Sequence, residues 1–157
     1  MEVLATADGW SPTFYARCFS LILEYPEGNL TDQPLWQEVE KPLEGQAVCF
    51  NLKARLHLSN GQYANLTEQG FLICYQGQFR AWRNRCPHAG APLDWVPGQF
   101  FSENGQQLVC HVHHAHFEPL TGECLSGPCT RGLFPLNFRE DGDMMIVPIA
   151  ADESGCE

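Results

Sequence analysis

Two short pairs of metal-binding side chains are the part of this sequence that could do chemistry. The first pair is Cys86 and His88, and the second pair is Cys110 and His113. The 21 residues 89–109 separate the two pairs. Two thiolates and two imidazoles can hold zinc, or they can hold an iron–sulfur centre. The spacing therefore predicts a metal centre built from these four side chains.

The alternation of Cys with His bears on the kind of centre. Zinc fingers usually take two Cys from one element and two His from another, whereas each pair here holds one Cys and one His. If two metals are bound, each loop can give its Cys to one iron and its His to the other. The pattern favours a two-iron cluster, and a zinc site is the alternative.

Short strands are predicted on both sides of the two pairs. Apolar and polar residues alternate over 47–58, which is the period of a strand with one buried face. Ser59-Asn60-Gly61 then predicts a hairpin turn. Further predicted strands are residues 71–75, 79–83, 108–109, 133–139 and 144–149. We therefore expect an all-β fold, an antiparallel sandwich or barrel.

The two ends of the chain are predicted to differ from the main domain. Residues 1–45 are interpreted as an N-terminal extension that packs on the main domain at 46–150, with partner docking as the alternative. Within the extension, residues 14–25 suit a strand better than a short helix because of their aromatic content. Residues 35–40 are predicted to form one helical turn. Residues 151–157 are predicted to be a frayed acidic tail.

Charge and composition exclude some classes of partner. The net charge of −10, from 19 acidic against 9 basic residues, argues against nucleic acid. This charge favours solubility, and it could also steer the protein toward a basic face of a redox partner. No window approaches the roughly 20 apolar residues of a membrane span, and the N-terminus does not resemble a secretory signal. We predict no membrane contact and a cytoplasmic location, where the eight cysteines stay reduced.

The two pairs resemble the two boxes of the Rieske [2Fe–2S] family, in which two His replace two Cys on one iron. The resemblance covers about residues 68–148. It rests on Cys86-Pro87-His88-Ala89-Gly90-Ala91-Pro92-Leu93, on Cys110-x-x-His113 with Phe117 and Thr121-Gly122-Glu123, and on Ser126-Gly127-Pro128, which is similar to the family's proline loop.

The resemblance implies one [2Fe–2S] cluster per chain. Cys86 and Cys110 would bind the buried iron, and His88 and His113 would bind the outer iron near the surface. The implied fold is an antiparallel Rieske-like sandwich with a small cluster-binding subdomain formed by two loops.

Four positions depart from the membrane cytochrome-complex members of the family. Those members carry an extra Cys in each loop, joined as a disulfide, where this chain has Ala91 and Val112. They also place a Ser and a Tyr hydroxyl near the cluster, where this chain has Ala115 and Phe117. Losing hydrogen bonds to the cluster sulfurs lowers the reduction potential, so we predict a midpoint of roughly −150 mV, near the lower end of the Rieske range.

Histidines beyond the ligands depart from the family pattern as well. His111 replaces a frequent Pro, and His114 replaces a frequent Gly. For His114 and His116, a surface proton or docking role is one interpretation, and tolerance in an exposed loop is the other. A second metal site would depend on Glu118, the nearest carboxylate.

Two cysteines and four arginines near the boxes also have open roles. Cys124 and Cys129 bracket the proline loop and could form a disulfide, act as redox-sensitive thiols or stay free. The arginines are either ordinary surface charge or a positive rim that stabilises the reduced cluster or aligns a partner. They are Arg80, Arg83, Arg85 and Arg131.

Three functions are compatible with these features. The first is a soluble one-electron carrier that passes electrons from a reductase to an oxygenase or a similar acceptor. Catalysis by this chain is not expected, because His57 is the only His outside the cluster region and cannot build a mononuclear iron triad. The second is a non-catalytic Rieske subunit of a larger oxidoreductase, such as a nitrite reductase-like or arsenite oxidase-like small subunit. The third is a zinc-stabilised binding module.

Overall fold

A computed structural model describes residues 36–151, which form eleven strands and no helix. The strands are β1 (Trp36–Glu40), β2 (Ala47–His57), β3 (Tyr63–Tyr75), β4 (Gln78–Arg83), β5 (Leu108–Cys110), β6 (Ala115–Phe117), β7 (Cys124–Ser126), β8 (Pro135–Leu136), β9 (Arg139–Asp141), β10 (Met144–Pro148) and β11 (Ala150–Ala151). Among these strands only β2 and β11 pair in parallel, so the predicted antiparallel all-β fold is confirmed. The element predicted at residues 14–25 and nearly all of the acidic tail lie outside the described residues.

Two sheets pack together as a sandwich. The larger sheet has the order β11-β2-β3-β4-β8, and the smaller has the order β1-β10-β9. An apolar cluster joins Leu52 and Leu72 of the larger sheet to Met145 and Val147 of the smaller one, and all four side chains are fully buried. The predicted alternation in β2 holds, because Leu52 points into this cluster while its neighbour Lys53 is exposed.

The predicted helical turn at residues 35–40 is wrong, because Trp36–Glu40 is strand β1. This strand pairs antiparallel with β10, and Val39 packs against the apolar cluster between the sheets. A segment of this length has little helical stability in isolation, so pairing and burial decide its structure. Part of the proposed extension therefore pairs with the main domain, and the boundary at residue 45 stays a prediction.

Two hairpins bring the chain to the first ligand pair. The turn at residues 59–61 joins β2 to β3 as predicted, and Gly61 has a φ of +81°. The turn between β3 and β4 uses Gln76 and Gly77, whose φ angles of 51° and 71° are both positive, as in a type I′ hairpin turn. The Glu44 carboxylate accepts the backbone N–H groups of both turn residues, at 2.6 and 2.9 Å. β4 then ends three residues before Cys86.

The predicted closing hairpin is shorter than expected. β9 and β10 pair around the turn at residues 142–143. Pro135 and Leu136 form β8 instead, which pairs with β4 at the edge of the larger sheet. The chain between β7 and β9 therefore passes along the β4 edge of the larger sheet.

A third sheet, of order β5-β6-β7, carries the second ligand pair. A second apolar cluster connects it to β3 and β4, and the rings of Phe71 and Phe100 stack within this cluster with centroids 3.8 Å apart. Cys86 and Cys110 belong to the same cluster. No helix long and apolar enough to cross a membrane occurs among residues 36–151.

Candidate metal centre

A buried asparagine closes the first ligand loop. Asn84 is 6 % exposed, and its amide oxygen accepts the backbone N–H of Leu93 at 2.8 Å. Its amide nitrogen donates to the Asp94 carboxylate at 2.6 Å. Between these anchors, the N–H of Cys86 donates to the carbonyl of Ala91 at 2.7 Å. These bonds hold the loop closed, with Cys86 at its buried base.

A pair of arginines braces the same loop from the side of β3. The Glu68 carboxylate accepts from Arg83 at 2.6 Å and from Arg85 at 3.2 Å. The Arg85 guanidinium lies so close to Gly90 that a Cβ built there would be 3.5 Å from it. Arg80 donates to backbone and side-chain oxygens near it. The contacts of these three arginines favour a structural role over a positive rim.

The second ligand loop is a tight turn between β5 and β6. The N–H of His114 donates to the carbonyl of Cys110 at 2.9 Å and closes the turn. His114 has a φ of 54°, in the left-handed region where glycine is favoured. This backbone angle explains why Gly is frequent at the position. The N–H of His111 donates to Leu93 at 2.9 Å and ties the second loop to the first.

The structure brings the four predicted ligands together as an inner pair and an outer pair. Cys86 and Cys110 are 2 % and 0 % exposed. His88 and His113 are exposed, with ring centroids 4.9 Å apart and planes at 87°. Burial raises the pKa of the Cys110 thiol, and contact with Cys86 raises it too. The backbone N–H groups of Val112 and His113 point at the Cys110 sulfur and act in the opposite direction.

This donor set fits a two-iron cluster. The two neighbouring thiols would hold one iron from inside, and the two neighbouring imidazoles would hold the other iron from the surface. Among residues 36–151, no three His, Cys, Asp or Glu side chains form a single-ion site. The identity of the four ligands stays a prediction that this geometry supports.

The segment that resembles the proline loop lies directly on β6. Gly127 has a φ of +103°, and a Cβ built on it would be 2.7 Å from the Cα of Ala115, so no larger residue fits. After this loop, the sulfur of Cys129 contacts the sulfur of Cys86 at 3.6 Å. Burial raises the pKa of Cys129 to about 12, and the contact with Cys86 adds to the shift. The sequence does not predict this contact, because its only signal is a Cys beside the proline loop.

Cys124 and Cys129, which could have formed a disulfide, are both free thiols in the structure. The Cys124 thiol donates to the carbonyl of Ser126 at 3.6 Å. Of the four positions that depart from the cytochrome-complex members, Ala115 and Phe117 are fully buried.

His116 and Glu118 have structural contacts. Nδ1 of His116 lies 2.8 Å from the side-chain oxygen of Gln107. Glu118 accepts the backbone N–H groups of Leu120 and Thr121 at 2.8 and 2.5 Å. This carboxylate therefore caps a turn, which does not support the second metal site considered above. Nε2 of His111 is buried and has no hydrogen-bond partner among the described residues.

The family model of the Rieske [2Fe-2S] domain matches residues 46–145. The chain belongs to this family. Membership implies one [2Fe–2S] cluster, which makes the chain a Rieske electron carrier. A search of curated proteins found no match.

Solved structures are similar to this chain at low sequence identity. A chain of the complex of reduced oxygenase and oxidized ferredoxin in carbazole 1,9a-dioxygenase has 19% identity and a TM-score of 0.52, with coverage of 75% of this chain and 96% of that one. The ferredoxin of carbazole 1,9a-dioxygenase from Nocardioides aromaticivorans IC177 has 22% identity, 69% and 88% coverage, and a TM-score of 0.47. The plasma membrane Rieske protein from Synechocystis PCC 6803 has 22% identity, 59% and 82% coverage, and a TM-score of 0.42.

Proposed function

We propose that this protein is a soluble one-electron carrier of the cytoplasm that takes electrons from a reductase and passes them to an oxygenase or a similar acceptor. The observation that carries the proposal is the exposure of His88 and His113 above buried Cys86 and Cys110. When bound, the cluster supplies a one-electron site. Two His in place of two thiolates would leave the oxidised centre neutral and the reduced centre at −1, so the centre is easier to reduce than one held by four thiolates.

Each ligand pair has a separate task in this proposal. The apolar cluster around Cys86 and Cys110 keeps water from the inner side of the centre. The N–H groups that point at the Cys110 sulfur favour negative charge there. The exposed imidazoles of His88 and His113 give a partner the shortest path to the centre.

Exposed apolar side chains near the ligands support a protein partner. Of the five large apolar side chains that are exposed among the described residues, three lie in the ligand loops or beside the proline loop. These are Trp95 at 79%, Val112 at 46% and Leu125 at 49% exposure, and we call them the loop patch. Apolar side chains at such a position suit a transient interface, whose centre is depleted of charge. One similar structure is an oxygenase–ferredoxin complex, and we extend that type of partner to this chain.

A reduced-state spectrum tests the proposal directly. We expect the purified protein to be red-brown and, after reduction, to give the electron paramagnetic resonance signal of a Rieske cluster. It should also pass one electron per chain to a redox acceptor in a stopped-flow experiment. A colourless protein that contains zinc would contradict the proposal and support the binding-module alternative.

A second candidate is a non-catalytic Rieske subunit of a larger oxidoreductase. It is favoured by the exposed apolar side chains of the loop patch, which a permanent subunit interface would bury as well as a transient one. Native mass measurement of the protein from its own cells separates the two candidates. A free chain supports the carrier, and a stable complex with a catalytic subunit supports the second candidate.

A further inference from the structure

A third thiol lies against one of the two cysteines proposed to bind iron. The sulfurs of Cys86 and Cys129 are 3.6 Å apart, across 43 residues of sequence. A disulfide bond is about 2.05 Å long. The two sulfurs therefore need to approach by about 1.5 Å to form a bond.

The segment that carries Cys129 is an irregular loop. Residues 127–132 lie between β7 and β8 and belong to no strand. Cys86 is fixed by the bonds of the first loop and is 2 % exposed, whereas Cys129 is partly exposed. A small oxidant from solvent therefore meets Cys129 first.

Two other thiols are nearby and could compete. Cys110 also interacts with Cys86, but it is 0 % exposed and ends strand β5, so an oxidant does not reach it. Cys124 donates to the carbonyl of Ser126, and it lies in strand β7. Exposure and contact together select the pair formed by Cys129 and Cys86.

We propose that Cys86 and Cys129 form a disulfide in the cluster-free protein, and that this disulfide blocks cluster insertion. A small-molecule disulfide, such as oxidised glutathione, is the oxidant. The Cys129 thiol gives up its proton and attacks it as a thiolate, a step that is slow because burial raises the pKa of Cys129; a mixed disulfide forms and one glutathione thiol is released. The Cys86 sulfur then attacks the Cys129 sulfur and releases the second glutathione thiol, so two protein thiols are oxidised and one glutathione disulfide is reduced. The two protein thiol protons end on the two glutathione thiols.

The consequence for the cluster rests on the proposed ligand role of Cys86, whereas the disulfide itself does not. A sulfur bonded to Cys129 cannot bind iron as a thiolate. A reductant that cleaves the disulfide restores the ligand. Oxidising conditions would thus keep the cluster-free protein from loading iron until thiols are available again.

The experiment uses the full chain. The cluster is removed with a chelator under reducing conditions, the reductant is removed, and oxidised glutathione is added. Peptide mass mapping without reduction then identifies the linkage. Iron and sulfide are added afterwards, with and without dithiothreitol, and the visible absorption of the cluster is measured. The linkage is mapped again after this step, because sulfide can itself cleave a disulfide. The variants are Cys129→Ala and Cys129→Ser, and Cys124→Ala is the matched control.

We expect a Cys86–Cys129 linkage in the wild type and in Cys124→Ala, with loss of cluster formation that dithiothreitol reverses. Both Cys129 variants should form the cluster after oxidant treatment without dithiothreitol. A linkage of Cys86 to Cys110, a linkage of Cys124 to Cys129, a scrambled mixture or no linkage overturns the proposal. A Cys86–Cys129 linkage that leaves cluster formation intact overturns the block and the ligand role of Cys86, but not the electron-carrier function, which the reduced-state spectrum tests separately.

Discussion

Replacing Asn84 by Ala is the most informative test of how the fold positions the metal centre. Asn84 is 6 % exposed, and its side chain makes two short hydrogen bonds, to the N–H of Leu93 and to the carboxylate of Asp94. The substitution removes both and leaves the buried N–H of Leu93 without a partner.

The magnitude follows from these two bonds. A hydrogen bond to a charged group contributes about 1.5–3 kcal/mol, and a buried donor left without a partner costs about 1–3 kcal/mol. We therefore expect Asn84→Ala to lower the free energy of unfolding by roughly 3–5 kcal/mol. At an m-value of about 2 kcal/mol/M, a loss of about 3 kcal/mol shifts the urea midpoint by about 1.5 M.

The assay is urea unfolding of cluster-loaded protein, followed by tryptophan fluorescence and by the visible absorption of the cluster. Both signals should shift together, because Asn84 connects the ligand loop to the sandwich. The matched control is Asn60→Ala. The Asn60 side chain also accepts a backbone N–H, at 3.0 Å from Gln62, but it is exposed.

Water replaces the lost bond of Asn60, so the control should cost less than about 1 kcal/mol. The reasoning is refuted if Asn84→Ala stays within about 1 kcal/mol of the wild type or unfolds like Asn60→Ala.

Four further changes test other parts of the structure. A redox titration of the wild type should give a midpoint near −150 mV, at the lower end of a family range of roughly −150 to +300 mV, and a wild-type midpoint above about +100 mV would contradict this prediction. Ala115→Ser should raise the midpoint, because it adds a hydroxyl donor. His113→Ala should lose the Rieske spectrum and much of its stability, and a full cluster spectrum in this variant would sink the ligand assignment. Hydrogen bonds from the backbone N–H groups of Gly77 and Gln76 lower the pKa of Glu44 from 4.5. The stabilising effect of Glu44 is therefore present above the unfolded-state pKa and is lost as pH falls through the lower folded-state pKa. The difference in urea midpoint between wild type and Glu44→Ala should close below pH 4.5, and an equal difference at pH 7 and pH 3 would contradict this prediction. Trp95→Ser should slow electron transfer to a partner without moving the midpoint. Leu43→Ser, at an exposed position next to Glu44 and the turn between β3 and β4, should do neither. Equal rates for both variants would exclude the loop patch as the docking surface.

Features that depend on neighbours along the chain are predictable from the residues alone. The alternation in β2 requires only a period of two, and the turns at residues 59–61 and 76–77 require residues that accept positive φ. The two Cys and His pairs are local as well, because each pair lies within one loop. For these reasons the all-β class, the main hairpins and the four candidate ligands could be predicted before the structure was known.

Only the tertiary structure decided the features that join distant segments. Residues 36–40 became strand β1 because β10 offers unpaired backbone groups beside the apolar cluster. Pro135 and Leu136 pair with β4 rather than with β10. No pattern of a short segment encodes these partners, because the choice depends on which edge the folded sheet presents.

The same reason applies at the metal centre. Arg83 and Arg85 look like surface charge in the sequence, but Glu68, 15 and 17 residues away, pairs with both. The contact of Cys129 with Cys86 spans 43 residues and depends on how the proline loop packs on β6. Local residue chemistry thus identified which groups could hold a cluster, while packing between remote segments determined what surrounds them.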